Sequence, residues 1–288
     1  MKSKEILTED EIREIKEMAR DARRQFGIAQ DASIGAELPQ LIEEKGICIC
    51  EYPFQSKEES HFDGTITWFK TDEGEMTFIG LNSLIPYDKQ IFTLAHEWYH
   101  YITHTGKAYT SDAKEDSRTE TKADRFAAEL LLPADELRRR AEKEFTSGSV
   151  DNAGIQRKLR FIARLHGEWW MPYHAIVTRL YEEGLIGNCY DELMKIDGQD
   201  EAGEYARIFR TMDPEMSELL LKRTNRISIS PSAMEVIVKN YEDGIIEIEE
   251  FAKLLALFGK TPFDFGFEEE IPDIDWEDFF AGGDEDEG

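Results

Sequence analysis

Cysteine and positive charge are both scarce in this 288-residue chain. Its three cysteines, Cys48, Cys50 and Cys189, form no pair of CxxC units and no even set, which excludes a disulfide framework and a thiolate zinc site. Lys and Arg number 34 against 61 Asp and Glu, and the resulting net charge of -27 repels phosphate, so direct nucleic-acid binding is not expected. No apolar run reaches the roughly 18 residues that a membrane helix needs. The first residues, MKSKEILTEDEIREIKEM, are charged where a secretory leader requires an apolar stretch, so the expectation is a cytoplasmic protein with no membrane partner.

What is present is a 41% apolar fraction, enough for a sizeable core. Its periodicity predicts α+β structure. Residues 7–28 open with Thr8-Glu9-Asp10-Glu11 ahead of helically spaced apolar residues, and a second, short helix over 39–45 ends at Gly46. Three β-rich runs follow, ICICEY, GTITWF and EMTFIGLN, bounded by turn-forming or charged residues. Helices are then expected over 87–105, 118–132, from Pro133 onward, and roughly over 152–166, 172–183, 201–222 and 231–257, with a polar loop over 106–117. Residues 267–288 hold eleven acidic side chains and no Lys or Arg, which predicts a flexible tail. Ile274, Trp276, Phe279 and Phe280 within it suit either a solubilising terminus or an acidic, aromatic recognition segment.

The segment FTLAHEWYHYITH contains HExxH. On a helix His96 and His100 project about 40° apart, so both imidazoles can bind one metal ion. Glu97 sits about 60° beyond His100, placed to act as general base on a metal-activated water. A catalytic zinc site takes a third protein ligand and keeps one position for water. The 118–132 helix offers Glu120 and, one turn on, Asp124: Glu120 can complete a His2Glu set and Asp124 can accept the second ring N–H of a ligand histidine. Glu115 and Asp116 compete for the third position but lack the ExxxD pairing. A metzincin site would need Gly and His at 103 and 106, where Thr103 and Gly106 stand. His104, near the same face, is expected to orient a ligand, contact substrate or cap the helix.

FTLAHEWYHYITH and ETKADRFAAELLLP together resemble the two motif helices of the ImmA/IrrE-type metallo-endopeptidases, and the resemblance extends back to a strand ending in Asn82. Trp98-Tyr99 stands where that family carries a small pair, so this helix is expected to pack differently on the sheet. The resemblance implies a zincin-like metalloprotease core with a small sheet packed on helices over 1–148. A mostly helical region over 149–266 would follow, with a helix-turn-helix-like pair at about 152–183, and then the acidic tail over 267–288. It implies zinc on His96, His100 and Glu120, with Mn²⁺ or Fe²⁺ as other occupants of such a ligand set, and Glu97 as the base. It also implies a protein substrate, a helix-turn-helix (XRE-type) repressor whose cleavage derepresses mobile-element or stress genes. The alternative is a non-catalytic or weakly catalytic regulatory, toxin–antitoxin-like module that acts by binding a protein or DNA partner.

Other features stay open at this level. Trp169-Trp170 suits either helix packing or partner recognition, Arg138-Arg139-Arg140 with Lys143 reads as a solvated face, and His61 is a lone loop histidine. A bound peptide is expected to extend along the strand near 76–82.

Overall fold

The computed structural model describes residues 6–54, 63–71, 74–105, 113–145, 150–200 and 202–267. His61, the side chains of Glu115 and Asp116, and the acidic segment from 268 onward lie outside the described residues. The chain divides into two compact units, 1–226 and 227–288, and the expected boundary at 148 falls inside the first. Among the described residues no helix is long and apolar enough to cross a membrane.

The first unit opens with α1 (Glu9–Gln25), started by a capping box in which Thr8 accepts from the Glu11 backbone while the Glu11 carboxylate accepts from Thr8. A short α2 (Leu38–Glu43), capped by Glu44, is followed by the left-handed Gly46, φ 79°. Then come β1 (Ile47–Tyr52), β2 (Gly64–Thr71) and β3 (Gly74–Asn82). β3 lies between the other two, parallel to β1 and antiparallel to β2. Ile49, Ile79 and Ile66 stand opposite one another across the three strands and are all buried, so one face of the sheet is apolar. That face covers α3 (Tyr87–Thr103). A Cβ added to Gly64 would lie 2.4 Å from Thr93 Cγ2, so only glycine lets β2 approach α3 this closely.

Next in the chain are α4 (Ala113–Leu131), α5 (Ala134–Glu144), α6 (Ile155–Trp169) and α7 (Tyr173–Glu182), then α8 (Tyr190–Met194), α9 (Glu204–Met212) and α10 (Pro214–Leu220). The second unit holds a two-residue strand β4 (Ser228–Ile229), α11 (Pro231–Glu242), α12 (Ile248–Ala256) and a 3-10 turn at Pro262–Phe265. Phe251 and Leu255 form its buried centre, and the Phe251 ring stacks on Tyr241 at 4.5 Å.

Three helix boundaries differ from the expected ones for local reasons. The helix expected over 201–222 is broken at Asp213-Pro214, because Pro214 offers no N–H and Asp213 caps the new helix by accepting from Met216 N–H at 3.1 Å. The 231–257 helix is interrupted after Asp243 by Gly244 at φ 70°. α4 begins at Ala113, so part of the expected loop over 106–117 is helical.

α4 is also held from α1 and from α7. Its stripe of Ala123, Phe126, Ala127, Leu130 and Leu131 is buried, and burying a side chain the size of Phe126 contributes about 2–3 kcal/mol. From α1, the fully buried Arg23 donates to the carbonyl of Leu130 and, at 2.6 Å, to that of Ala29. From α7, the fully buried Arg179 pairs with Glu129 of α4 and, at 2.7 Å, with Glu183. Arg125 of α4 reaches Glu182 and Glu183, and Lys16 and Arg138 complete the ring around Glu183 at 3.3 and 2.6 Å. The basic run at 138–140 is a largely solvated face, with Arg138 and Arg139 exposed, on which Arg139 and Arg140 pair with the buried Glu136 and Arg140 also lies over the Trp169 ring. Trp169 is fully buried, and Trp170 packs on Gly35, which places both tryptophans in the helical core.

Burial raises the Glu183 carboxyl, but Arg179, Arg125, Lys16 and Arg138 outweigh it and hold it below its ordinary value of 4.5. A carboxylate lowered on folding stabilises above its unfolded value and loses that contribution as pH falls. Glu183→Gln is accordingly expected to cost about 3 kcal/mol at pH 7 by leaving buried arginines short of a partner. Its stability should also fall less steeply than that of the native protein as the pH drops below about 4.5; urea unfolding across that range checks both.

Candidate metal centre

α3 and α4 bring His96, His100, Glu120 and Asp124 together. His96 Nε2 lies 3.1 Å from Glu120 Oε2 and 3.1 Å from His100 Nε2, and His100 Nε2 lies 3.5 Å from Glu120 Oε1. A tetrahedral ion with bonds of about 2.0–2.1 Å sets its ligand atoms about 3.3–3.4 Å apart, and the three side chains, with one ligand atom each within 4.8 Å of the others, are grouped closely enough to hold one such ion. The His100 side chain is 3% exposed and that of Glu120 41%, which closes the cluster on the imidazole side and opens it on the carboxylate side. An open side is what a catalytic centre needs for water and substrate.

Asp124 Oδ1 sits 3.0 Å from His96 Nδ1, on the far side of the ring from the cluster. Such a carboxylate holds the ring with Nε2 facing inward. Glu97, adjacent on α3, is buried at 6% exposure. His104 does not join the cluster. It takes the left-handed conformation, φ 49°, at the end of α3, and its ring lies 6.0 Å from Trp68 and 6.5 Å from Tyr101. Trp98 is buried with its ring 4.9 Å from Phe26 and 5.0 Å from Tyr101, so the bulky Trp98-Tyr99 pair is accommodated against the end of α1.

Two parts of the surroundings are not visible in the motifs. Glu11 of α1 pairs with Arg118 at 2.6 Å and Lys122 at 3.1 Å, one turn apart on α4 on either side of Glu120. The backbone N–H of Thr8, with Lys122 and Arg118, overcomes burial and lowers the Glu11 carboxyl to about 2. In the first turn of α3, Asp88 lies 3.0 Å from His166 of α6, whose other ring nitrogen lies 2.8 Å from the Tyr205 hydroxyl of α9, all three residues being buried. Asn82, at the end of β3, holds the turn into α3 by donating to the Phe54 carbonyl at 3.3 Å and accepting from Leu84 N–H at 3.0 Å.

The strand nearest an open edge also differs from expectation. β3, over 74–82, is flanked on both sides, by β1 and β2, and among the described residues β2 is one of the two end strands of the sheet. An end strand such as β2 is the kind of strand that can pair with an added extended chain.

A family model described as the IrrE N-terminal-like domain, Peptidase_M78, matches residues 42–180. Residues 42–180 form a domain of the ImmA/IrrE-type peptidase family. This ImmA/IrrE-type domain runs from the end of α2 into α7 and contains β1–β3, α3, α4 and the whole cluster. A metallopeptidase-type function follows at that coarse level, with a protein as substrate. No curated protein matches the chain.

Burial alone would lower the His96 imidazole. Hydrogen bonds to Asp124 and Glu120, with the charges of Asp124 and Glu97, overcome it and raise it to about 10. Burial likewise raises Glu120, and the bond to His96 with the charges of both imidazoles brings it below the ordinary value. Metal-free His96 thus carries a proton below pH 10, and an entering divalent ion must displace it. Zinc titrations in buffers of different ionisation enthalpy at pH 7–8 should show release of about one proton per ion, with affinity falling as the pH is lowered.

Proposed function

We propose that this chain is a zinc-dependent endopeptidase with a zincin-like core, in which His96, His100 and Glu120 hold the metal and Glu97 is the general base. The observation that carries the reading is the meeting of two histidines one turn apart on α3 with a carboxylate of α4, inside the segment that matches the peptidase family. Two imidazoles and a carboxylate suit zinc, and the same ligands accept Mn²⁺ or Fe²⁺. When bound, the ion supplies Lewis acidity to a water molecule and to the scissile carbonyl.

The remaining work belongs to the protein. Asp124 holds the His96 ring in place. Glu97, next to His96 and largely out of solvent, takes the proton of the attacking water and delivers it to the leaving amine, the double role that lets one carboxylate serve both halves of peptide hydrolysis. β2 aligns the substrate backbone. As substrate we propose a helix-turn-helix repressor in the cytoplasm, a choice supported by the resemblance of both motif helices to the ImmA/IrrE-type enzymes.

Glu97→Gln should keep zinc and lower turnover by about 10²–10⁴-fold, since it removes proton transfer but no ligand. His100→Ala should lose both. New protein N-termini, mapped by mass spectrometry in host cells expressing the native chain or Glu97→Gln, should include one Glu97-dependent terminus within a helix-turn-helix regulator. If zinc-supplied cells yield no Glu97-dependent terminus, the regulatory module that binds a partner without cutting it takes over as the better reading.

A further inference from the structure

His100 has a partner at its other ring nitrogen that no motif announces. Thr105 Oγ1 lies 3.1 Å from His100 Nδ1, and Thr103 Oγ1 lies 2.7 Å from Thr105 Oγ1 and 2.7 Å from the carbonyl oxygen of Tyr99. Thr105 comes within reach because the helix ends in a Schellman turn: with His104 left-handed, the Thr105 N–H reaches back to the His100 carbonyl at 3.1 Å and the His104 N–H to that of Tyr101 at 3.4 Å.

The proton positions along this chain follow from counting. A carbonyl oxygen only accepts, so the single proton of the Thr103 hydroxyl goes to Tyr99. Thr103 must then accept from Thr105, which spends the one proton Thr105 has. Thr105 is left with lone pairs toward His100, and the contact is a hydrogen bond only if Nδ1 carries the proton. A neutral His100 so held presents an unprotonated Nε2 toward His96 and Glu120.

We propose that Thr103 and Thr105 form a hydroxyl relay, anchored on the Tyr99 carbonyl, that fixes the tautomer and orientation of His100 for metal binding. Both threonines are positioning residues, acting through His100, and the proposal rests on the reading of His96, His100 and Glu120 as the metal ligands. The relay makes the two imidazoles unequal: His96 is backed by a carboxylate and His100 by a neutral hydroxyl.

The test compares zinc affinity, by chelator competition, in the full-length native chain, Thr105→Val, Thr105→Ser, Thr103→Val, Thr103→Ser and His100→Ala. It is paired with ¹⁵N-histidine NMR of the zinc-loaded proteins. Loss of an outer partner of a ligand histidine weakens metal binding about 10–100-fold, and that is the expected effect of either valine. Either serine keeps the hydroxyl and should restore native affinity, a rescue that general damage to folding would not give. The His100 Nδ1 proton should be observed and protected from water exchange in the native protein and both serine variants, and should exchange faster in Thr105→Val. Native affinity together with an unchanged Nδ1 proton in both valine variants would overturn the relay while leaving the ligands standing. If His100→Ala binds zinc as the native chain does, the ligand assignment itself is wrong and the relay falls with it.

Discussion

Atoms contributed by two helices, far apart in sequence, have to meet at about 3 Å, and that demand falls on the packing of α3 against α4. His96 and His100 share a face of α3 by helical period alone, so their mutual distance needs no tertiary help. Glu120 is different. Its 3.1 Å approach to His96 exists only while α4 keeps its rotation and its height along α3. The apolar stripe through Phe126 sets the distance between the helices, since the Tyr99 and Phe126 rings meet at 5.5 Å, but an apolar contact leaves rotation and sliding weakly specified.

Charged groups supply the missing specificity. Arg23 reaches α4 from α1, Arg179 from α7, and Glu11 clasps Arg118 and Lys122 at the same height as Glu120. Replacing buried ion pairs by apolar packing is often neutral or favourable for stability, so their presence here is better understood as fixing one geometry than as adding net stability. Directional bonds at three points around one helix define its azimuth in a way that leucines do not.

Much of the centre was legible in the sequence because it depends on period. The HExxH spacing places two imidazoles, the ExxxD spacing places Glu120 and Asp124, and the ICICEY, GTITWF and EMTFIGLN runs announce three strands, all from rules that act within a single element. What escaped depends on relations between elements or on a rare backbone state. That β3, over 74–82, is an inner strand of the sheet escaped because strand order is not written in any one strand's pattern. Thr105 was invisible because its approach to His100 requires a left-handed His104, a state that a glycine would have signalled and a histidine does not. The pairing of Asp88, His166 and Tyr205 joins α3, α6 and α9 through residues that show no periodic relation. By contrast, Asp213-Pro214 did carry a plain stop signal within the stretch expected as one helix.

The arrangement along α4 constrains how such a chain can change over evolutionary time. Glu120 and Asp124 reach the His96 ring, while Arg125 and Glu129, only a few positions on, are tied to the ion pairs with α7. One inserted or deleted residue between 120 and 129 would turn one group against the other by about 100°. Either the carboxylates would then swing off the histidines or the arginine would lose its partner in the interior. Length variation should therefore be purged from this helix and tolerated outside it, so that indels, more than substitutions, mark the boundary of the working part of the molecule.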